Sequence, residues 1–260
     1  MTIRSANINV MVATARTAAK SMMRDFGEIN HLQASKKGTD NFFKNTYVKI
    51  EKTLNDELSR LRPDWGFNRS LIDTNEYDDN QFYWIVEPLN AKTNFIHGIP
   101  HLCISIAIEH QKEVIASVIY DPLKDELFVS EKGSGAYIND KRIRVSNRKN
   151  IDSAIFAINI PNIKNINNEL IIQQMIKITS NGAKIRILGS PTLELAYVAS
   201  GRFEGFWSNN ITFQEIAAGY LLIKEAGGTI TDLFGKKINE NSKAILATNT
   251  GIHQKLIPLL

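Results

Sequence analysis

Trp84-Ile85-Val86-Glu87-Pro88-Leu89-Asn90-Ala91-Lys92-Thr93-Asn94-Phe95 begins as an apolar run, meets a proline and ends in a polar turn. The run over 82–87 has the length of a strand. Downstream, Leu102, Ile104, Ile106 and Ile108 alternate with smaller or polar residues, the pattern of a strand with one buried face. Residues 114–120 read as its neighbour, ending at Asp121-Pro122, and 127–129 and 143–145 as short strands in a glycine-rich region. Upstream, Ile8, Val12, Ala15, Ala19, Met22 and Phe26 keep helical spacing. So do Phe43, Tyr47, Ile50, Leu54, Leu58 and Leu61, where Pro63 stops the pattern.

Beyond Asn150 the order changes to alternating strands and helices. Strands are expected at 154–158, 184–188 and 244–248, and helices at 169–178, 192–199 and 215–226. Gly227-Gly228 closes the last of these helices as left-handed termination prefers. The reading is therefore α+β, with an α+β half over 1–148 and an α/β half over 149–260.

The chain has 260 residues, enough for a sizeable core, with 43% hydrophobic and 22% charged residues. No apolar run approaches the roughly 18 residues of a membrane span. The first twenty residues lack the apolar centre of a secretory signal. Cys103 is the single cysteine, which excludes an intrachain disulfide and a cysteine zinc site. A cytoplasmic protein is expected. The net charge of +4 is compatible with an anionic partner. No block of five consecutive basic residues singles out direct RNA binding.

Three segments, in order and at matching spacings, resemble the inositol monophosphatase family, including its bacterial SuhB-type members. The first is the opening stretch, continued by His97-Gly98-Ile99-Pro100-His101, against the family's W-I-x-D-P-L-D-G-T-T-N-F. The second joins Asp121-Pro122, Glu126-Leu127-Phe128 and Gly133-Ser134-Gly135-Ala136. The third runs from Gly189-Ser190 through Ala199-Ser200-Gly201-Arg202 and Gly205-Phe206-Trp207. It continues into Glu215-Ile216-Ala217-Ala218-Gly219 and Glu225-Ala226-Gly227-Gly228, where the family has W-D-x-A-A-G and E-A-G-G. The resemblance implies a layered α-β-α-β-α sandwich, a homodimer and Mg²⁺-dependent hydrolysis of phosphate monoesters such as inositol phosphates. It also admits a partner in the transcription machinery.

Such chemistry needs hard oxygen ligands in near-octahedral array to activate water and clamp the phosphate. Here the family's aspartates fall on Glu87, Asn90 and Glu215, its glycine on Ala91 and its first threonine on Lys92. The family's tryptophan falls on Gln214, and its acidic substrate-contacting position on Ser208. Its upstream acids fall on 41–47 and 67–70, where Lys44 and Arg69 stand instead. Glu87 and Glu215 are the remaining metal positions. Asn90, Ala91, Lys92, Thr93 and Ser208 are the substrate and phosphate positions.

Each retained glutamate is one methylene longer than aspartate, against a ligand tolerance of about 0.2 Å. A lysine 5 Å from a divalent ion would repel it by about 6–7 kcal/mol at an effective dielectric near 20. The expectation is that lysines replace the metals, Lys92 and Lys44 pairing with Glu87 and Glu215. Mg²⁺ binding would then be weak or absent and hydrolysis impaired, leaving a protein that acts by binding a phosphorylated ligand or a partner. The alternative is an active Mg²⁺-dependent phosphatase that uses Glu87 and Glu215. His97, His101, Ser190 and Cys103 are read as structural.

Overall fold

A computed structural model describes residues 5–29, 36–67, 78–160 and 168–260. Two long helices come first, α1 (Ala6–Glu28) and α2 (Lys36–Leu61). The Ser5 hydroxyl accepts the Ile8 N–H and starts α1. Buried Asp25 ties the two helices together, accepting from Thr46 Oγ1 at 2.9 Å and from Arg24 and Lys49. Burial pushes its carboxyl up, but these partners outweigh that and hold it below the usual carboxylate range.

A seven-stranded sheet follows in sequence order: β1 (Gly66–Phe67), β2 (Phe82–Asn90), β3 (Cys103–His110), β4 (Glu113–Asp121), β5 (Glu126–Glu131), β6 (Gly135–Ile138) and β7 (Lys141–Ile143). Only β1–β2 is parallel. Both faces of its central strands are buried, which corrects the expectation of one buried face for β3. Ile104, Ile106 and Ile108 pack with Trp84, Val86 and Val118 under α1 and α2. Cys103, Ala107, Ile85, Ile119 and Phe128 face the opposite way, into a second core. The strands sit between helices on both sides, so the small residues that alternate with the isoleucines make room for the second layer.

The remaining elements are β8 (Ile155–Asn159), α4 (Asn168–Ser180), β9 (Lys184–Arg186), α5 (Pro191–Ala199), β10 (Gly205–Ser208), α6 (Phe213–Glu225), β11 (Thr229–Thr231), β12 (Ile245–Thr248) and α7 (His253–Leu256). The short α3 (Lys92–Ile96) precedes them, after β2. A mixed five-stranded sheet runs β11-β12-β10-β8-β9. Helices α5 and α6 lie between the two sheets, their apolar faces sharing one core with both. Helices α4 and α7 cover the outer face of the second sheet around Phe156, Trp207 and Leu246. The result is α, β, α, β, α in layers.

Helices α5 and α6 approach closely at Gly219. A Cβ there would lie 2.7 Å from Leu195 Cβ and Cδ1. Gly219→Ala is therefore expected to destabilise by about 1–3 kcal/mol despite alanine's better helix propensity. A thermal melt checks this, and an unchanged midpoint would mean that the helices can separate freely.

Candidate functional site

β2 carries the site to its end. Pro88 has no N–H to give, and the β2–β3 register breaks between Glu87 and Asn90. The chain then turns at Ala91, whose φ of 88° and ψ of 60° are left-handed. That conformation suits glycine, and alanine bears about 1–2 kcal/mol of strain there. α3 follows at once.

Asn90 is buried, and its Oδ1 faces the second half of the molecule. It accepts from Ser190 Oγ at 2.8 Å and from the Thr192 N–H at 3.4 Å. Thr192 in turn donates its hydroxyl to the Glu215 carbonyl at 2.7 Å. Asn94 reinforces the junction, donating from Nδ2 to the carbonyls of His101 and Leu188, both at 2.7 Å. Glu194 Oε1 takes the N–H groups of Leu188 and Gly189. Burial lifts the Glu194 carboxyl to about 7 against those bonds.

Glu215 stands in the first turn of α6. Its Oε2 accepts both the backbone N–H and the hydroxyl of Thr212, completing a capping box. Gln214 donates to the Val86 carbonyl at 2.6 Å. Glu87 is half-buried. Burial first, then the charges of Glu215 and Glu51, push its carboxyl up to about 8, although the Leu89 N–H opposes the rise. Burial, then the charges of Glu87 and Glu51, push the Tyr47 hydroxyl up as well.

The lysines do not take the places expected of them. Lys92 pairs with Asp40 at 2.8 Å and lies over the Phe43 ring, so it caps α2 side chains rather than Glu87 or Glu215. Lys44 is exposed on α2 and makes no ion pair among the described residues. Arg69, with 68–70, lies outside the described residues. Among the described residues the charges acting on Glu87 are those of Glu215 and Glu51, which corrects the expectation that Lys92 and Lys44 pair with the two glutamates. The physical reason is that Asp40, about one turn after the start of α2, is nearer to Lys92 than either glutamate.

Ser208 is buried, and its hydroxyl donates to the Asn210 carbonyl at 3.0 Å while Asn159 donates to it. Thr93 is exposed at the start of α3. His101 is buried against the Tyr197 ring, and burial and Lys124 hold its imidazole down near 4. Glu51 was not singled out by the motif alignment. Its signal was the four-residue step from Tyr47, which puts both on one face of α2.

The sequence profile of the Inositol monophosphatase family matches residues 4–260. The chain belongs to that family. It is 39% identical over 254 residues to an inositol-1-monophosphatase of Mesorhizobium japonicum, covering 98% of this chain and 96% of the relative. It is 32% identical over 228 residues to the Nus factor SuhB of Escherichia coli K12, covering 88% and 85%. The crystal structure of the extragenic suppressor protein suhB from Bartonella henselae superposes with a TM-score of 0.85 at 37% identity, covering 99% of each chain.

The family is Mg²⁺-dependent, and two of the donors that would hold that ion here are engaged by the chain itself, Asn90 Oδ1 by Ser190 and Thr192 and Glu215 Oε2 by Thr212. Among the described residues, no group of three or more His, Cys, Asp or Glu side chains is arranged to hold a metal. Ionising Glu87 at pH 7 costs only about 1.4 kcal/mol. Freeing Asn90 Oδ1 costs more, since it leaves a buried hydroxyl and a buried N–H without their acceptor, at about 1–3 kcal/mol each.

Two outcomes follow from this geometry. Ala91→Gly should raise the melting midpoint by a few degrees, because the strain at φ 88° is relieved. The folded-state pKa of Glu87, about 8, lies above its ordinary 4.5. Wild-type stability is therefore lost as pH rises from about 4.5 through 8. Glu87→Gln removes that loss, so its midpoint should exceed the wild type's by several degrees at pH 9 and by little at pH 5. Equal differences at both pH values would place Glu87 in ordinary solvent.

Proposed function

We propose that this chain is a member of the inositol monophosphatase family whose hydrolysis is severely impaired. It acts by binding a phosphorylated ligand or a protein partner. The observation that carries this reading is the commitment of the ligand oxygens to the chain itself. Asn90 Oδ1 accepts from Ser190 and Thr192, and Glu215 Oε2 from Thr212. The polar turn of Ala91, Lys92 and Thr93 is the part of the candidate phosphate position open to an anion, and Ser208 the part closed to it. The name Nus factor, borne by relatives at 30–32% identity, supports a partner in the transcription machinery. A homodimer, as in the family, is part of the proposal.

A second reading is favoured by one observation. Glu87 has no cationic partner among the described residues, and its carboxyl is raised partly by Glu215 and Glu51. A divalent cation would relieve that repulsion. The relatives named inositol-1-monophosphatase, at 39% and 42% identity, favour the same reading, an active phosphatase in which Glu87 and Glu215 hold the ion.

Phosphate release from inositol 1-phosphate, measured across a Mg²⁺ titration, separates the two. Turnover is expected at least a hundredfold below the usual enzyme range of about 1–1000 per second. The joint reversion Glu87→Asp, Asn90→Asp, Ala91→Gly, Lys92→Thr and Glu215→Asp should raise it. Wild-type turnover within that range establishes the second reading instead.

A further inference from the structure

The segment 141–149 reads Lys-Arg-Ile-Arg-Val-Ser-Asn-Arg-Lys, five basic residues in nine with no acid. Arg148 is spent on buried Glu204, its Nη1 lying 2.8 Å from Oε1. Arg142, Arg144 and Lys149 make no ion pair among the described residues, and all three line one open groove of about 540 Å³. That volume falls within the range of small-molecule sites.

The groove runs between the end of β7 and the turn after α6. Gly227, Thr250 and Gly251 also line it, so two of these residues bring no side chain into the groove. A Cβ added at Gly227 would meet nothing within 4 Å. The lining carries three cations and one acid, Glu225. Both oxygens of Glu225 are already engaged, by the N–H groups of Gly133 and Gly135.

A helix C-terminus would normally disfavour an anion here. The carbonyls at the end of α6 are instead taken up internally. Ala226 O accepts the Val145 N–H, and Gly227 O accepts the Thr250 hydroxyl. Lys255, bound through Nζ to the Lys149 carbonyl, adds a fourth positive charge beside the groove.

Arg142 and Arg144 are two residues apart at the end of β7, about 7 Å in extended chain. Their two planar guanidinium forks line the same groove and can each take a phosphoryl group bidentately. We propose that this groove is a binding site for a small di- or triphosphate. It is separate from the Glu87 region, since β7 and β2 are five strands apart, about 24 Å at ordinary strand spacing. The cations are gathered at one groove rather than spread along a stripe, which favours a small ligand over a nucleic-acid strand.

The test is calorimetric titration of the full chain with inorganic tripolyphosphate and with orthophosphate, in metal-free buffer. One site per chain is expected at this groove, apart from any anion held at the turn of residues 91–93, with tripolyphosphate at least tenfold tighter than orthophosphate. R142A/R144A should weaken tripolyphosphate at least tenfold. R142K/R144K, which keeps the charge and loses the forks, should weaken it less, and E87Q should leave it unchanged. Equal binding by wild type and R142A/R144A, or no binding at millimolar tripolyphosphate, overturns the proposal. Tighter binding of a 20-nucleotide RNA through the same arginines also overturns it, in favour of a nucleic-acid surface.

Discussion

One buried amide oxygen governs the junction of this molecule. Asn90 Oδ1, at the last residue of β2, is held by Ser190 and Thr192 at the start of α5. Through that contact the strand that ends in the candidate site is fastened to the helix layer between the two sheets. Asn94 repeats the arrangement one turn later, with the Leu188 carbonyl as its acceptor. A carboxylate at position 90 would bring a charge into this junction. The amide satisfies the same donors without one, making a neutral clasp between β2 and the start of α5.

The same economy appears at Glu215. A carboxylate in the first turn of a helix is stabilised by the helix dipole and by the exposed N–H groups, and here one of its oxygens serves Thr212. The added methylene lets the side chain fold back onto its own cap. Among the described residues, what surrounds Glu87 is like charge without a counterion, in which Glu87 is held largely protonated at neutral pH. On the proposed reading, the energetic obstacle to a metal is the loss of the Asn90 clasp more than the charge of nearby lysines.

The fold was legible because its three signature segments lie at strand ends and helix starts, where local sequence dictates turn and cap geometry. The β12 strand, α5 and α6 follow from apolar runs bounded by glycine. The second buried face of β3 was not legible, because Ser105, Ala107 and Glu109 read as a solvent face until the helices that cover them are placed. In the site, Glu87 and Glu215 were found from their place in the motifs, and their mutual repulsion appears only when β2 and α6 are brought together. The partner of Lys92 was not recoverable from spacing. It depends on which face α2 presents to the turn, and Asp40 lies 52 positions away in the chain. Glu51 was missed for the same reason, its neighbour Glu87 being on another layer.

Manganese is the most direct probe of whether these oxygens are free to hold a divalent ion. Crystals soaked in millimolar Mn²⁺, with anomalous diffraction recorded at the manganese edge, should show no peak between the side chains of residues 87 and 215. They should also show Asn90 still bonded to Ser190. Two ordered manganese peaks there, with the Asn90 amide turned away from Ser190 to meet one of them, would contradict the account.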